Sequence, residues 1–547
     1  MLRRTTSWGL SLGVVSAILM TTVFASVGGG SLTSVVHAAE KTLSEEEAIA
    51  LAKKQLTILG EYKLVEAQFV DGFEMQWGKP IWYSRWNKEK GGSISLQQDA
   101  ASGEIWKYEY RGDEREGEAN QKKITEDQAF QVATQFLKQI ATEEERSRLS
   151  KPNEYPDSDI FFTPNRPGID VNFTRIEDGI PFLENGFRLI VGNDGEVIYF
   201  ERRWSEGKLP DASKVIGLTE AGKKWDEGAF PSFLYKDMAS RVRKEPASYQ
   251  PVYDFRENDP QVVDAITGKM LDWYGQVSKE RKIQPLGNTV PPTTTEQKLI
   301  TKDEAQKIAE QHIKKLPGTY QPNGKIRESG SDEKQWYFEF LSQPGDGKES
   351  DLVGMKINDR GQLVYYVVNE KRRLDEDIKK IEKGITWAQA QESAAELVRT
   401  LYPDQLGIIY LVDYAPREER IKEIWKNGEP YEIEFGYLVN GIPEENSIFQ
   451  VDINPKTGEV WEMYNYEYPE HLSLPPINEE SIDVNKAKKV MKENKKLMLT
   501  YFQPKARSYG YAKMLEQPLL VYRYVGEKGL VQADGTWHRY AEERKQE

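Results

Sequence analysis

The chain has 547 residues, a formal charge of −14, 30% charged and 38% hydrophobic residues, and no cysteine. Without thiols there are no disulfides, no thiolate catalysis, no cysteine-ligated zinc and no lipid-modified N-terminal cysteine, so a secreted form must rest on ordinary hydrophobic cores. An acidic chain with charges mixed throughout has no continuous basic face for phosphates, which excludes nucleic acid as a partner class.

In chain order, the first element is a targeting segment. Arg3 and Arg4 precede a charge-free apolar run from Trp8 to Val27, and small residues follow as far as Ala38 and Ala39. That layout predicts a secretory signal over residues 1–38, with the secreted form beginning at Ala39 or Glu40. Cleavage removes two arginines and no acid, taking the charge from −14 to −16. The competing reading is a retained anchoring helix, because the apolar run approaches spanning length. No later segment is apolar enough to span a bilayer.

A helix-start signal comes next and then recurs. It stands at Ser44 in "LSEEEAIALA", Thr125 in "ITEDQAFQVA", Thr301 in "ITKDEAQKIA" and Thr386 in "ITWAQAQESA". Each has an apolar residue, a hydroxyl at the N-cap and Glu or Gln three positions on, the pattern of a capping box. Alanines and larger apolar residues then repeat at three and four spacing, which buries one helical face. Looser versions at Leu218 and Ile482 lack the Glu or Gln and predict weaker helices.

Each helix is followed by strand-like alternation around a turn glycine: Gly103, Gly195, Gly268, Gly361, Gly458 and Gly535. The Asp or Asn before each glycine suits a tight turn whose glycine takes positive φ. The fold class is therefore α+β, with six tandem helix-plus-antiparallel-sheet units in two duplicated groups of three. "DGIP" at Asp178–Pro181 and "NGIP" at Asn440–Pro443 mark the middle unit of each group. The first group is expected over residues 41–280 and the second over 300–547, joined by a Pro/Thr-rich linker at 281–299. Each group is expected to bury its own core and fold separately.

Together these helix starts, the two "GIP" turns and the "D-x-x-T/S-G-E" turns resemble the YcdB/YcdC repeat proteins, which are secreted and related to the PepSY module. The resemblance covers nearly all of residues 43–540. It implies one helix against an antiparallel sheet in each unit. Likeness to protease propeptides implies peptidase regulation, and no catalytic residue is carried over.

The chemical motifs weigh little. "KTG" at Lys456–Gly458, with Ser205–Lys208 and Ser331–Lys334 in S-x-x-K spacing, echoes serine acylation enzymes, but no S-x-N element accompanies it. "KTG" reads as a hairpin turn. His312, His471 and His538 lie in different units without metal-ligand spacing. Asp452, Asn454 and Glu459 fit turn capping better than calcium. Glu45–Glu47 suits the positive end of a helix dipole better than paired catalytic acids, and Glu143–Glu145 is the other such cluster. Trp77, Trp82 and Trp86 could form a sugar-binding surface if exposed.

The sequence thus reads as a secreted, non-enzymatic protein of the cell envelope, without cofactor or metal, that binds a protein partner. A secreted or envelope peptidase is the partner class the resemblance implies. The alternatives are a cell-wall glycan-binding protein using exposed aromatics and a hydrolase with an unrecognised carboxylate site. No membrane association is expected once the signal is cleaved.

Overall fold

The structure is a computed structural model that describes residues 42–70, 79–89, 91–112, 124–155, 168–205, 207–238, 248–255, 261–278, 283–290, 299–316, 318–330, 334–342, 352–368, 383–412, 416, 418–465, 482–506, 513–514, 517–527 and 529–539. The signal segment, Trp77 and His471 lie outside the described residues. Leu43–Glu547 forms one compact unit.

Its helices are α1 (Glu45–Gln55), α2 (Glu126–Ile140), α3 (Glu143–Ser147), α4 (Leu218–Gly228), α5 (Lys302–Ile313), α6 (Trp387–Leu401), α7 (Glu418–Asn427) and α8 (Val484–Asn494). In α1, α2, α5 and α6 two alanines four residues apart are buried: Ala48 and Ala52, Ala129 and Ala133, Ala305 and Ala309, Ala390 and Ala394. One turn separates the members of each pair, so both methyls face the sheet and the helix backbone can lie close to it. In α4 and α8 the second alanine is replaced by a large residue, giving Ala221 with Trp225 and Ala487 with Met491.

Two large sheets carry these helices. The first runs Lys63–Val70, Ile81–Asn87, Ser93–Asp99, Ile105–Arg111, Val197–Arg203, Ile180–Val191, Lys495–Phe502, Leu519–Gly526, Val262–Asp264 and Met270–Leu271, with Ile169–Glu177 also on Ile180–Val191. The second runs Tyr320–Ser329, Gln335–Ser342, Leu352–Asn358, Leu363–Val368, Val460–Tyr464, Ile442–Ile453, Ser232–Asp237, Tyr249–Asp254, Gly529–Gln532 and Trp537–Arg539, with Tyr431–Val439 also on Ile442–Ile453. The orders match position by position, as a duplication requires.

One pair of strands in each sheet comes from the wrong half. Lys495–Phe502 and Leu519–Gly526 complete the first sheet, whereas Ser232–Asp237 and Tyr249–Asp254 complete the second. Both joins are parallel and sit at matching points just after the "GIP" turns, Phe182 against Tyr501 and Glu444 against Tyr235. The hydrogen bonds around them repeat in the same reciprocal way. Tyr522 donates its hydroxyl to the Ile216 carbonyl ahead of α4, and Tyr253 donates to the Ile482 carbonyl ahead of α8. The Ala265 amide donates to Leu520 and the Ala533 amide to Pro251. The halves have exchanged the strand pair of their third units.

This corrects the expectation of two separate cores. One core cluster draws Phe182, Ala221, Trp225 and Val263 from the first half and Ala487, Met491, Tyr501 and Tyr522 from the second. The expected linker is also partly built into the second half. Within it, Leu286 and Gly287 donate to the Ile409 and Leu406 carbonyls, and Thr289 accepts from the Gly407 amide at 2.6 Å.

Candidate functional site

Ser44, Thr125, Thr301 and Thr386 stand at the N-caps of α1, α2, α5 and α6, each closing a two-way box with Glu47, Gln128, Glu304 or Gln389. As expected of a weaker start, α4 begins at Gly217 with no side-chain cap, whereas α8 is capped by Asp483. Gly103, Gly195, Gly268, Gly361, Gly458 and Gly535 have φ between +70° and +93°. At Gly458 a Cβ would meet only ordinary contacts, at 3.5 Å and beyond, so φ of +80° is the constraint there. Gly458→Val is expected to cost about 1–3 kcal/mol through strain, read from a denaturant midpoint. Lys456→Ala should leave stability unchanged and abolish no hydrolysis, because Lys456 is held in the turn by its backbone amide donating to Asn454 Oδ1.

The remaining chemical candidates are dispersed or engaged. Asn454 Oδ1 caps the Lys456 and Thr457 amides, Glu459 accepts from the Thr457 hydroxyl and Asp452 from Gln450. Among the described residues no three His, Asp or Glu side chains converge as metal ligands. Glu45–Glu47 and Glu143–Glu145 each fill the first turn of a helix, α1 and α3. Trp86 is buried and donates to Ser84 Oγ at 3.0 Å, so it belongs to the core and to no sugar platform. Half-buried Trp82 donates to the Leu43 carbonyl and packs edge-on against Phe69.

His538 lies on the strand Trp537–Arg539, and His312 lies on α5 beside the ring of Tyr402. Burial, with Lys315 nearby, holds the His312 imidazole down to about 4 from 6.5. The unfolded chain therefore takes up a proton that the folded chain refuses. Stability from this site is fully present above pH 6.5 and is lost as pH falls towards 4, on the order of 3 kcal/mol in all. His312→Leu should flatten this part of the profile, measured as urea midpoints at pH 7.5, 5.5 and 4.5.

A ribbon of charge crosses the face of the first sheet opposite its helices. In Val197–Arg203, Phe200 enters the helix-side core, so Tyr199, Glu201 and Arg203 point the other way. Tyr199 donates to Glu201 at 2.7 Å, Arg203 bonds Glu201 at 2.8 Å, and Arg188 bonds Asp170 at 2.6 Å. Burial, then the Glu201 carboxylate, drives the Tyr199 phenol upward and keeps it protonated. These charges neutralise one another, which suits a rigid sheet better than proton transfer. The alternation in "VIYFERR" was the sequence signal for this ribbon.

The sheets also end, among the described residues, in strands that are paired on one side. Among the described residues Lys63–Val70 pairs only with Ile81–Asn87, and Tyr320–Ser329 only with Gln335–Ser342. They are equivalent strands in the duplication, yet their chemistry differs. Tyr320–Ser329 is guarded by Pro322, an irregular register from Pro322 to Ile326, and the charges of Lys325 and Arg327. Lys63–Val70 contains no proline and exposes Leu64 (36%), Val65 (59%) and Phe69 (42%). Its one irregularity lies at Val65. Proline, bulges and charge are the usual protection of a free edge, and the first edge carries the least of it.

Helix-backed antiparallel units in tandem, duplicated, define an α+β repeat protein. The YcdB, YcdC repeated domain matches residues 45–204 and 302–468, more than half of the chain, and the chain belongs to that family. The two matched regions coincide with the first two units of each half. Among solved structures the chain is similar to the Bacillus megaterium YpeB C-terminal domain, at 14% identity and a TM-score of 0.27, over 44% of this chain and 97% of that one. No curated protein matches.

Proposed function

We propose that the mature chain is a non-enzymatic cell-envelope protein that captures an extended segment of a protein partner on the strand edge Lys63–Val70. Strand addition uses the backbone donors and acceptors of the edge for affinity and alternate side chains for selection, and it needs no catalytic residue. The observation that carries this reading is the asymmetry between the two duplicated edges, one guarded and one exposing Leu64, Val65 and Phe69. Family membership supports a non-catalytic role, and likeness to propeptide modules favours a secreted or envelope peptidase as the partner. The basic and apolar layout of residues 1–38 supports export.

The test mixes residues 40–547 with the peptidases secreted by the producing cell and measures complex formation and proteolysis rate. Val65→Lys with Phe69→Lys should weaken capture at least tenfold, with a loss of folding stability of about 1–2 kcal/mol, because Phe69→Lys removes the edge-on contact with Trp82. Capture untouched by the pair would refute the edge as the site. Hydrolysis of peptide or glycan by the protein alone, lost on changing one Asp or Glu, would restore the enzyme reading.

A further inference from the structure

A groove of about 500 Å³ lies on the helix side of the first sheet, between the end of α1 and the outer flank of α2. Its floor is apolar and rigid, formed by the buried side chains of Leu56, Tyr108 and Val197, and the Phe136 ring packs 5.5 Å from that of Tyr108. Along one rim stand Gln131, Gln135 and Gln139, each a turn apart on α2. They span about 12 Å of helix. Glu196 supplies the charge at the other side.

This lining selects a ligand class. Among the described lining residues there is no lysine or arginine, so an anionic ligand would meet the Glu196 carboxylate with only Lys88, outside the lining, to offset it. Burial first, then a neighbouring tyrosine (Tyr110 for Tyr62, Tyr62 for Tyr108), and only after these the Glu196 carboxylate, raise the phenols of Tyr62 and Tyr108. A cationic ligand would find a single carboxylate among three neutral amides. Each glutamine offers both donors and acceptors, which matches groups that also give and accept. The aromatic floor suits the flat C–H face of a ring.

The duplication supplies an internal control. Positions 131, 135, 136 and 139 correspond to Glu392, Glu396, Leu397 and Thr400 on α6, and Glu392 is bonded by Arg399 at 2.8 Å. The same helix therefore packs on the same kind of sheet without the amide row or the second aromatic ring, so the fold does not require them.

We propose that this groove is a binding site for a short neutral oligosaccharide, seated with a ring face on Tyr108 and Phe136 and its hydroxyl or acetamido groups on the α2 glutamines. The site is separate from the strand edge and stands or falls independently of it. Isothermal titration of residues 40–547 with the uncharged tetramer of N-acetylglucosamine tests it, alongside the de-acetylated cationic tetramer and a galacturonic acid tetramer. The neutral sugar should bind saturably and with little dependence on salt. Gln135→Glu with Phe136→Leu writes the second copy's residues into the first, and should weaken binding at least tenfold while the protein still unfolds in one cooperative transition well above the assay temperature. No saturable heat with the neutral tetramer overturns the proposal, as does equal binding by the double variant or tighter binding of either charged tetramer.

Discussion

Cutting the chain between residues 291 and 298, at an engineered protease site, is expected to leave two fragments that remain bound and melt as one. The reason is the exchange of strand pairs. Without Lys495–Phe502 and Leu519–Gly526 the first sheet ends at Ile180–Val191, and without Ser232–Asp237 and Tyr249–Asp254 the second ends at Ile442–Ile453. The shared core then opens on both sides, exposing Phe182 and Trp225 on one fragment and Tyr501 and Tyr522 on the other. At ~1.5–3 kcal/mol for each large side chain, those four residues represent on the order of 10 kcal/mol, comparable with the whole net stability of a domain at about 5–15 kcal/mol. Neither fragment has that much to lose. Produced alone, residues 40–290 or 291–547 should be insoluble or lack a cooperative transition, and co-production should restore the folded protein. Calorimetry and size-exclusion chromatography of the nicked chain check this. Two fragments that elute apart, each with its own sharp melt, would show that the exchanged strands contribute little.

The parts of the fold legible in the sequence were those written by local rules. A capping box needs only four consecutive residues, and each of Ser44, Thr125, Thr301 and Thr386 heads its helix with the expected partner. The duplication was equally plain, because "DGIP" and "NGIP" fix the same turn in both halves, with Asp178 and Asn440 at positive φ. Which half a strand joins is a different kind of fact. Tyr253 and Tyr522 are equivalent residues with equivalent bonds, and each would satisfy the same geometry in its own half. Nothing in the local pattern separates exchange from its absence. The clue was the unlike chemistry at the two joins, with Phe182 and Glu184 in one copy standing where Glu444 and Asn446 stand in the other. The open edge was hidden for a related reason: "KLVEAQFV" has ordinary strand propensity, and only the absence of a further strand beside it among the described residues gives it a role.

That unlike chemistry carries the second large effect. Glu184 is fully buried in the first half, and its Oε1 receives Nη1 of Arg523 from the second half at 2.6 Å, the arginine side chain being 11% exposed. The Gln503 amide also donates to Glu184, and the guanidinium lies over the Phe502 ring. At the other join the pairing is reversed in sign order: Lys236 of the first half bonds Asp254 and reaches Glu445 of the second. Each exchanged strand pair therefore brings a cation to a carboxylate of the sheet it joins, but from a different position: Asp254 is the equivalent of Arg523, so an unexchanged first sheet would set a carboxylate where Glu184 now meets a guanidinium. Removing one partner strands a charge in a dry interior, which costs about 3–5 kcal/mol. Arg523→Met is expected to lose that much, and Glu184→Leu to lose a similar amount. The double change Glu184→Leu with Arg523→Met should recover most of the loss, because the desolvation penalty leaves with the pair. Urea midpoints of the four proteins complete the cycle, and the double variant is expected to lose less than either single variant. Additive losses would mean that the two side chains act separately and that the join is held by packing alone. The double variant should also be the one most prone to pair the wrong strands, seen as oligomers on refolding at high concentration. Rapid, clean refolding of that variant would assign the charges to stability alone and leave the choice of partner strand to the packing of Phe182 on Tyr501.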